Sequence, residues 1–95
     1  MPESIKIQFF GLLRRRVRTA AVDIEAGEMP VLALLRLAED RAGGRFLDEL
    51  LDPDHALLTG TIILVNGENI RLKEGLETMA KAGDVVALFS PAGGG

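Results

Sequence analysis

The chain contains no cysteine. That excludes a disulfide, a thiolate metal site and a cysteine nucleophile, and it fits a reducing compartment. There is no tryptophan, no tyrosine and only four phenylalanines, so a core must be built mostly from Leu, Ile, Val and Ala. The single histidine, His55, has no cysteine and no second histidine with which to share a metal. It reads as a solvated loop residue, and no metal site is expected. No run approaches the roughly 20 apolar residues that cross a bilayer. Met1 to Lys6 has no signal-peptide core. The expectation is a cytoplasmic protein without a membrane partner.

What is present suits one small domain. Ninety-five residues with an apolar fraction of 47% can bury a modest core without staples. The net charge of −3 favours solubility and gives no sign of a nucleic-acid-binding domain.

Ile5-Lys6-Ile7-Gln8-Phe9 alternates apolar and polar residues, the period of a half-buried strand, and Phe10 breaks it toward the other face. Gly11 follows as a turn signal. Leu12 to Arg18 then reads as a connecting loop with four arginines in five residues. No aromatic residues interleave with those arginines to stack bases, so a solvated loop is favoured over a nucleic-acid site. Thr19 to Glu25 alternates again, with Val22 and Ile24 inward, and most simply forms an antiparallel hairpin with the first strand.

Pro30 suits the first position of a helix. Val31, Leu34, Leu35 and Ala38 then fall on one helical face. Leu32 and Leu37 widen that stripe, which predicts a well-covered helix. Met29 is a poor N-cap. Gly43-Gly44 ends the helix. Arg45 to Leu51 reads as another helical turn or two, stopped by Asp52-Pro53-Asp54. Thr61 to Val65 is apolar on both parities, as in a strand covered on both faces or in part by a partner. Asn66-Gly67 is a tight-turn signal, and Glu68 to Leu72 continues as a short strand or extended piece. Lys73 to Met79 is a looser connection anchored by Leu76 and Met79. Lys81 to Asp84 turns into a last strand, Val85 to Phe89.

After that strand come Pro91-Ala92-Gly93-Gly94-Gly95. A glycine tail has no side chains to bury. It tolerates backbone angles that other residues avoid, and it enters channels too narrow for a Cβ. Its one chemical group is a terminal carboxylate. The chain divides into a domain over 1–90 and a flexible tail over 91–95. One helix and one mixed sheet that bury each other's apolar faces make an α+β arrangement.

The element order and the tail resemble the β-grasp fold of ubiquitin-like proteins. More narrowly they resemble the sulfur carriers: the small subunit of molybdopterin synthase, the thiamine-pathway carrier and their relatives. The resemblance rests on Ile5-Lys6-Ile7-Gln8-Phe9-Phe10-Gly11, on the helix from Val31, on Ile63-Leu64-Val65-Asn66-Gly67-Glu68, and above all on Lys81 to Gly94, whose Gly83-Asp84-Val85-Val86-Ala87 and closing glycines match the family's ending. Three closing glycines stand where the family has two. The implied fold is a mixed four- to five-stranded sheet packed on one main helix.

The resemblance implies a protein co-substrate rather than an enzyme. A ubiquitin-activating-type enzyme would adenylate the terminal glycine, Gly95 or Gly94, using ATP, with no cofactor bound to the carrier itself. Sulfur would convert the glycine to a thiocarboxylate. A sulfur-acceptor enzyme, such as the large subunit of molybdopterin synthase, would then take the sulfur. Docking would use the sheet face beside the tail, with Phe10, Leu64, Leu88, Phe89, Pro91 and Gly93 as contact residues. Two alternatives share the scaffold: a ubiquitin-like modifier joined to lysines through its glycine end, and a plain β-grasp interaction domain with a flexible end.

Overall fold

The computed structural model describes residues 3–91. Strand β1 (Ser4–Phe10) pairs antiparallel with β2 (Ala21–Glu25) as the hairpin expected from their alternation, Ile5 lying opposite Ile24 and Ile7 opposite Val22. On its other side β1 runs parallel to the last strand, β7 (Val85–Phe89), with Phe9 opposite Leu88 and Phe10 opposite Phe89. Strand β4 (Ile62–Val65) lies antiparallel to β7, and the two-residue β5 (Glu68–Asn69) closes the far edge. The sheet order is β2-β1-β7-β4-β5, five strands with the parallel pair inside it. This is the ubiquitin-like β-grasp arrangement implied by the resemblance, and it puts the strand that carries the tail between two hydrogen-bonded neighbours.

Helix α1 (Val31–Arg41) crosses the inner face of the sheet. Its predicted stripe, Val31, Leu34, Leu35 and Ala38, is wholly buried against Ile5, Ile7, Phe9, Ile63, Val86 and Leu88. Period-3.6 apolar residues meet period-2 ones, and each supplies the surface the other must remove from water. Leu37 does not widen the buried stripe. It is 43% exposed, because at about 100° per residue it falls on the flank of the helix, outside the face that Val31, Leu34, Leu35 and Ala38 turn inward.

Two further strands were not legible. Strand β3 (Glu28–Pro30) pairs antiparallel with β6 (Met79–Lys81) in a separate two-stranded ribbon, with Met29 opposite Ala80. Three residues are too few to show a period of two, and the pairing joins segments about fifty residues apart in the chain. The ribbon resolves the question of the helix start. Pro30 is the N-cap rather than the first helical residue, and the Val31 N–H donates to the Thr78 carbonyl at 2.8 Å. A tertiary backbone bond thus does what a capping side chain would do. Met79, expected as an anchor, is 45% exposed; Ala80 beside it is the buried residue. Leu76 does pack against the core.

Other segments tighten rather than extend. The arginine-rich loop holds a 3-10 turn, Gly11–Arg15, that buries Leu13, and Val17 is buried beyond it. The segment after the helix forms one 3-10 turn, Leu47–Glu49, in place of longer helical structure. It is hung from the helix by Glu39, whose Oε2 accepts from the Phe46 and Leu47 N–H groups at 2.9 and 3.0 Å. Phe46 is thereby set edge-on to Phe9, ring centroids 5.0 Å apart. After β5 the chain turns into a 3-10 turn, Ile70–Leu72, instead of continuing as strand.

Candidate functional site

The tail begins where β7 ends, so the site is built from what surrounds that end. Because β1 and β7 are parallel, the turn that follows Phe10 lies at the same end of the sheet and packs against β7. Because β4 is antiparallel to β7, its beginning lies there too, Ile62 opposite Phe89. Gly60, just before β4, takes a φ of +91°, and its Cα side faces Pro91 so closely that a Cβ there would stand 3.3 Å from the Pro91 Cβ. Pro91 is half-buried in this seat. It is the last described residue, and its fixed φ and its packing give the tail a stiff departure point.

On the inner face the end of β7 is core: Phe9, Leu88 and Ile63 form a buried cross-strand row. On the outer face the matching row is Phe10, Phe89 and Ile62. Phe10 and Ile62 are 38% and 41% exposed, and Phe89 is half-buried between them. The next row down is Gln8, Ala87 and Leu64. An apolar stripe across three central strands, open to solvent, is what a soluble domain leaves uncovered where something docks.

The sequence-derived contact residues therefore separate. Phe10, Phe89 and Leu64 lie on the outer face, and Pro91 at its upper end. Leu88 is withdrawn from the docking set: it is fully buried, since the alternation that exposes Phe89 turns its neighbour inward. Gly93, Gly94 and Gly95 lie outside the described residues. Ile62 and Gly60 were missed. The signal for Ile62 was the apolar character of Thr61 to Val65 on both parities; for Gly60 there was none, because its partner Pro91 is remote in sequence.

Elsewhere the chemistry is spent. A cavity of about 690 Å³ lies between α1 and the segment from Arg45 to Leu58. Arg16, Arg36 and Arg45 line it against Glu39, Asp48 and Asp52, so its formal charge is balanced. Asp52 Oδ1 accepts from the Asp54 and Ala56 N–H groups, and Glu39 holds Phe46 and Leu47. The Arg16 guanidinium donates to Asp48 and, at 2.7 Å, to Glu49. The hydrogen bond to Asp48 and the nearby carboxylate charges raise its pKa above the ordinary arginine value. His55 is exposed and accepts at Nδ1 from Arg36 at 3.1 Å, the guanidinium having only donors to offer. Among the described residues no three His, Cys, Asp or Glu side chains are grouped to hold a metal, and no helix is long and apolar enough to cross a membrane. The cavity has no convergent set of reactive groups, and the site is assigned to the end of β7.

Comparison with known proteins identifies the family and the fold. Residues 7–95 match the model of a family described as the ThiS family. A protein from Archaeoglobus fulgidus named "Putative sulfur carrier protein" is 35% identical over 74 residues, covering 78% of this chain and 83% of that one. The crystal structure of SAMP1 from Haloferax volcanii superposes with a TM-score of 0.79 at 25% identity, covering 97% of this chain and 99% of that one. The solution structure of the small archaeal modifier protein 1 from Methanosarcina acetivorans superposes with a TM-score of 0.73 at 28% identity, covering 98% and 97%.

Proposed function

The chain belongs to the ThiS family of small ubiquitin-like sulfur carriers, which are substrates rather than catalysts, and we propose that it carries sulfur as a thiocarboxylate on its closing glycine. The observation that carries this reading is the position of the apolar row Phe10–Phe89–Ile62. It borders the strand end from which the glycine tail departs, so an enzyme gripping the row receives the tail.

The chemistry needs nothing from the domain except delivery. A carboxylate resists nucleophiles because its charge is delocalised and it has no leaving group. A ubiquitin-activating-type enzyme joins the glycine carboxylate to the α-phosphate of ATP and releases pyrophosphate. In the simplest case hydrosulfide then attacks the carbonyl carbon, AMP departs with the bonding pair, and a thiocarboxylate remains. In the acceptor enzyme the thiocarboxylate sulfur attacks an electrophilic carbon of the bound substrate and displaces its leaving group, and water then cleaves the resulting thioester at the glycine carbonyl, leaving the sulfur on the substrate and a carboxylate on the chain. Glycine suits both visits because no Cβ obstructs the channel or the attack.

The acceptor we propose is the large subunit of molybdopterin synthase, with sulfur destined for the molybdenum or tungsten cofactor. The Phe9-Phe10-Gly11 opening and the long segment from Arg45 to Leu58 support that member of the family over the shorter thiamine carriers. The likeness to small archaeal modifier proteins favours a second reading, conjugation to lysines through the same activated glycine.

One experiment addresses the core of the proposal. The chain is incubated with an activating enzyme, ATP and sulfide, and its intact mass is followed, for the full chain and for a chain lacking Gly94 and Gly95. The full chain should gain the mass of one oxygen-to-sulfur exchange, and the shortened chain should fold but gain nothing. A shortened chain that still forms the thiocarboxylate sinks the assignment. Branched Gly-Gly remnants on cellular lysines, without thiocarboxylate, would replace it with the modifier reading.

A further inference from the structure

The Asn66-Gly67 turn between β4 and β5 carries latent backbone chemistry. Asn66 takes a φ of 52° and Gly67 a φ of 86°, both positive as a two-residue hairpin loop of the I′ kind requires. An asparagine followed by glycine is open to attack by the next residue's own nitrogen, because glycine has no side chain to crowd it. The Gly67 nitrogen bonds to Asn66 Cγ, the Cγ–Nδ2 bond breaks, and Nδ2 leaves as ammonia with the proton given up by the Gly67 amide. Water then opens the five-membered imide, leaving aspartate or its β-linked isomer.

We propose that Asn66 is a deamidation site held inert by a latch to Asp84, and that its deamidation releases the start of β7. The carboxamide is held at both ends. Nδ2 donates to Asp84 Oδ1 at 2.8 Å, and Oδ1 accepts from the Val85 N–H at 2.9 Å. The backbone N–H of Asn66 donates to the Val85 carbonyl at 2.8 Å. Asp84 is itself buried and fixed, its Oδ2 accepting from the Lys81 N–H at 2.9 Å. Attack needs Cγ to close on the Gly67 nitrogen, and a carboxamide tied at both ends is restrained from the side-chain rotation that the approach requires. A hydrogen bond to a charged carboxylate is among the stronger ones, so the native turn resists the chemistry that its sequence invites.

The product cannot remake the latch. An aspartate at this position brings a carboxylate oxygen where an N–H stood, 2.8 Å from the Asp84 carboxylate. Like charges at that separation disfavour joint ionisation and push the two side chains apart. The β-linked isomer in addition lengthens the backbone of a two-residue loop and displaces the register of Leu64 on Asn69 and Val65 on Glu68. Both changes fall on Val85, the first residue of the strand that ends in the tail. The other asparagine, Asn69, is a built-in control: it precedes the β-branched Ile70, and its Oδ1 accepts from the Arg71 N–H.

The test is incubation of the full chain at mildly alkaline pH, folded and in urea, followed by peptide mapping for aspartate and β-aspartate at positions 66 and 69. In urea Asn66 should convert while Asn69 does not, and the folded chain should convert at Asn66 at least about tenfold more slowly. Asp84→Ala, checked for folding by circular dichroism, should remove most of that protection, and Asn66→Asp should lower the urea midpoint below that of Asn69→Asp. Folded and unfolded chains converting within about tenfold of each other would overturn the proposal. So would a folded Asp84→Ala chain that stays protected, or equal midpoints for the two aspartate variants. If Asp84→Ala does not fold, the wild-type comparison and the two midpoints decide.

Discussion

Phe10 and Phe89 lie face to face across the parallel pair β1 and β7, with ring centroids 4.8 Å apart and planes 9° from parallel. The stack is on the outer face, half in water, at the strand end that leads to the tail. Each ring packs on the other. A partner docking as proposed would meet two rings already stacked, with less ordering cost left at binding than for two free side chains.

Phe10→Ala should separate binding from folding. Losing the stack and part of a half-exposed ring should cost about 1–2 kcal/mol of stability. Affinity for the activating enzyme should fall at least about tenfold, as for a central aromatic anchor. Calorimetric titration alongside thermal melts reads both. An affinity unchanged by the substitution would place the docking surface elsewhere.

Leu88→Ala should do the reverse. Leu88 is fully buried between Phe9 and Ile63, so truncation leaves a cavity and costs about 2–5 kcal/mol. Any chain that remains folded should bind the activating enzyme with nearly native affinity. A large affinity loss with an unchanged urea midpoint would return Leu88 to the contact set.

Gly60→Ala tests the seat of the tail. The positive φ alone should cost about 1–3 kcal/mol, and the added Cβ presses on Pro91. Gly27 has open space within 4 Å of where a Cβ would stand, and no positive φ. Gly27→Ala should therefore be neutral or stabilising by about 0.4–1 kcal/mol. Equal urea midpoints for the two variants would show that the approach of Gly60 to Pro91 carries no constraint.

Arg16→Gln should matter little despite its short bonds to Asp48 and Glu49. These groups are solvent-exposed or nearly so, and water and salt screen an exposed ion pair, so the urea midpoint should barely move. The loss should shrink further in high salt. A clear fall in the urea midpoint that persists in molar salt would show the pair to be a structural clasp between the arginine loop and the Leu47–Glu49 turn.

The sequence by itself determined the parts that repeat a local rule. Alternation in Ile5 to Phe9 and the spacing of Val31, Leu34, Leu35 and Ala38 specify a strand and a helix, because each buries one face of a regular backbone. Asn66-Gly67 specified its turn. Tertiary structure decided whatever depends on residues far apart in the chain. Only the pairing of β1 with β7 and β4 turns Leu88 inward and lines up Phe10, Phe89 and Ile62 outward, since each strand shows two faces and the neighbours choose between them. Only the pairing of Glu28–Pro30 with Met79–Lys81 provides the helix cap that Met29 could not. The seat of Pro91 on Gly60 belongs to the same class: a glycine's tolerance is written in the sequence, but what approaches it is a property of the fold.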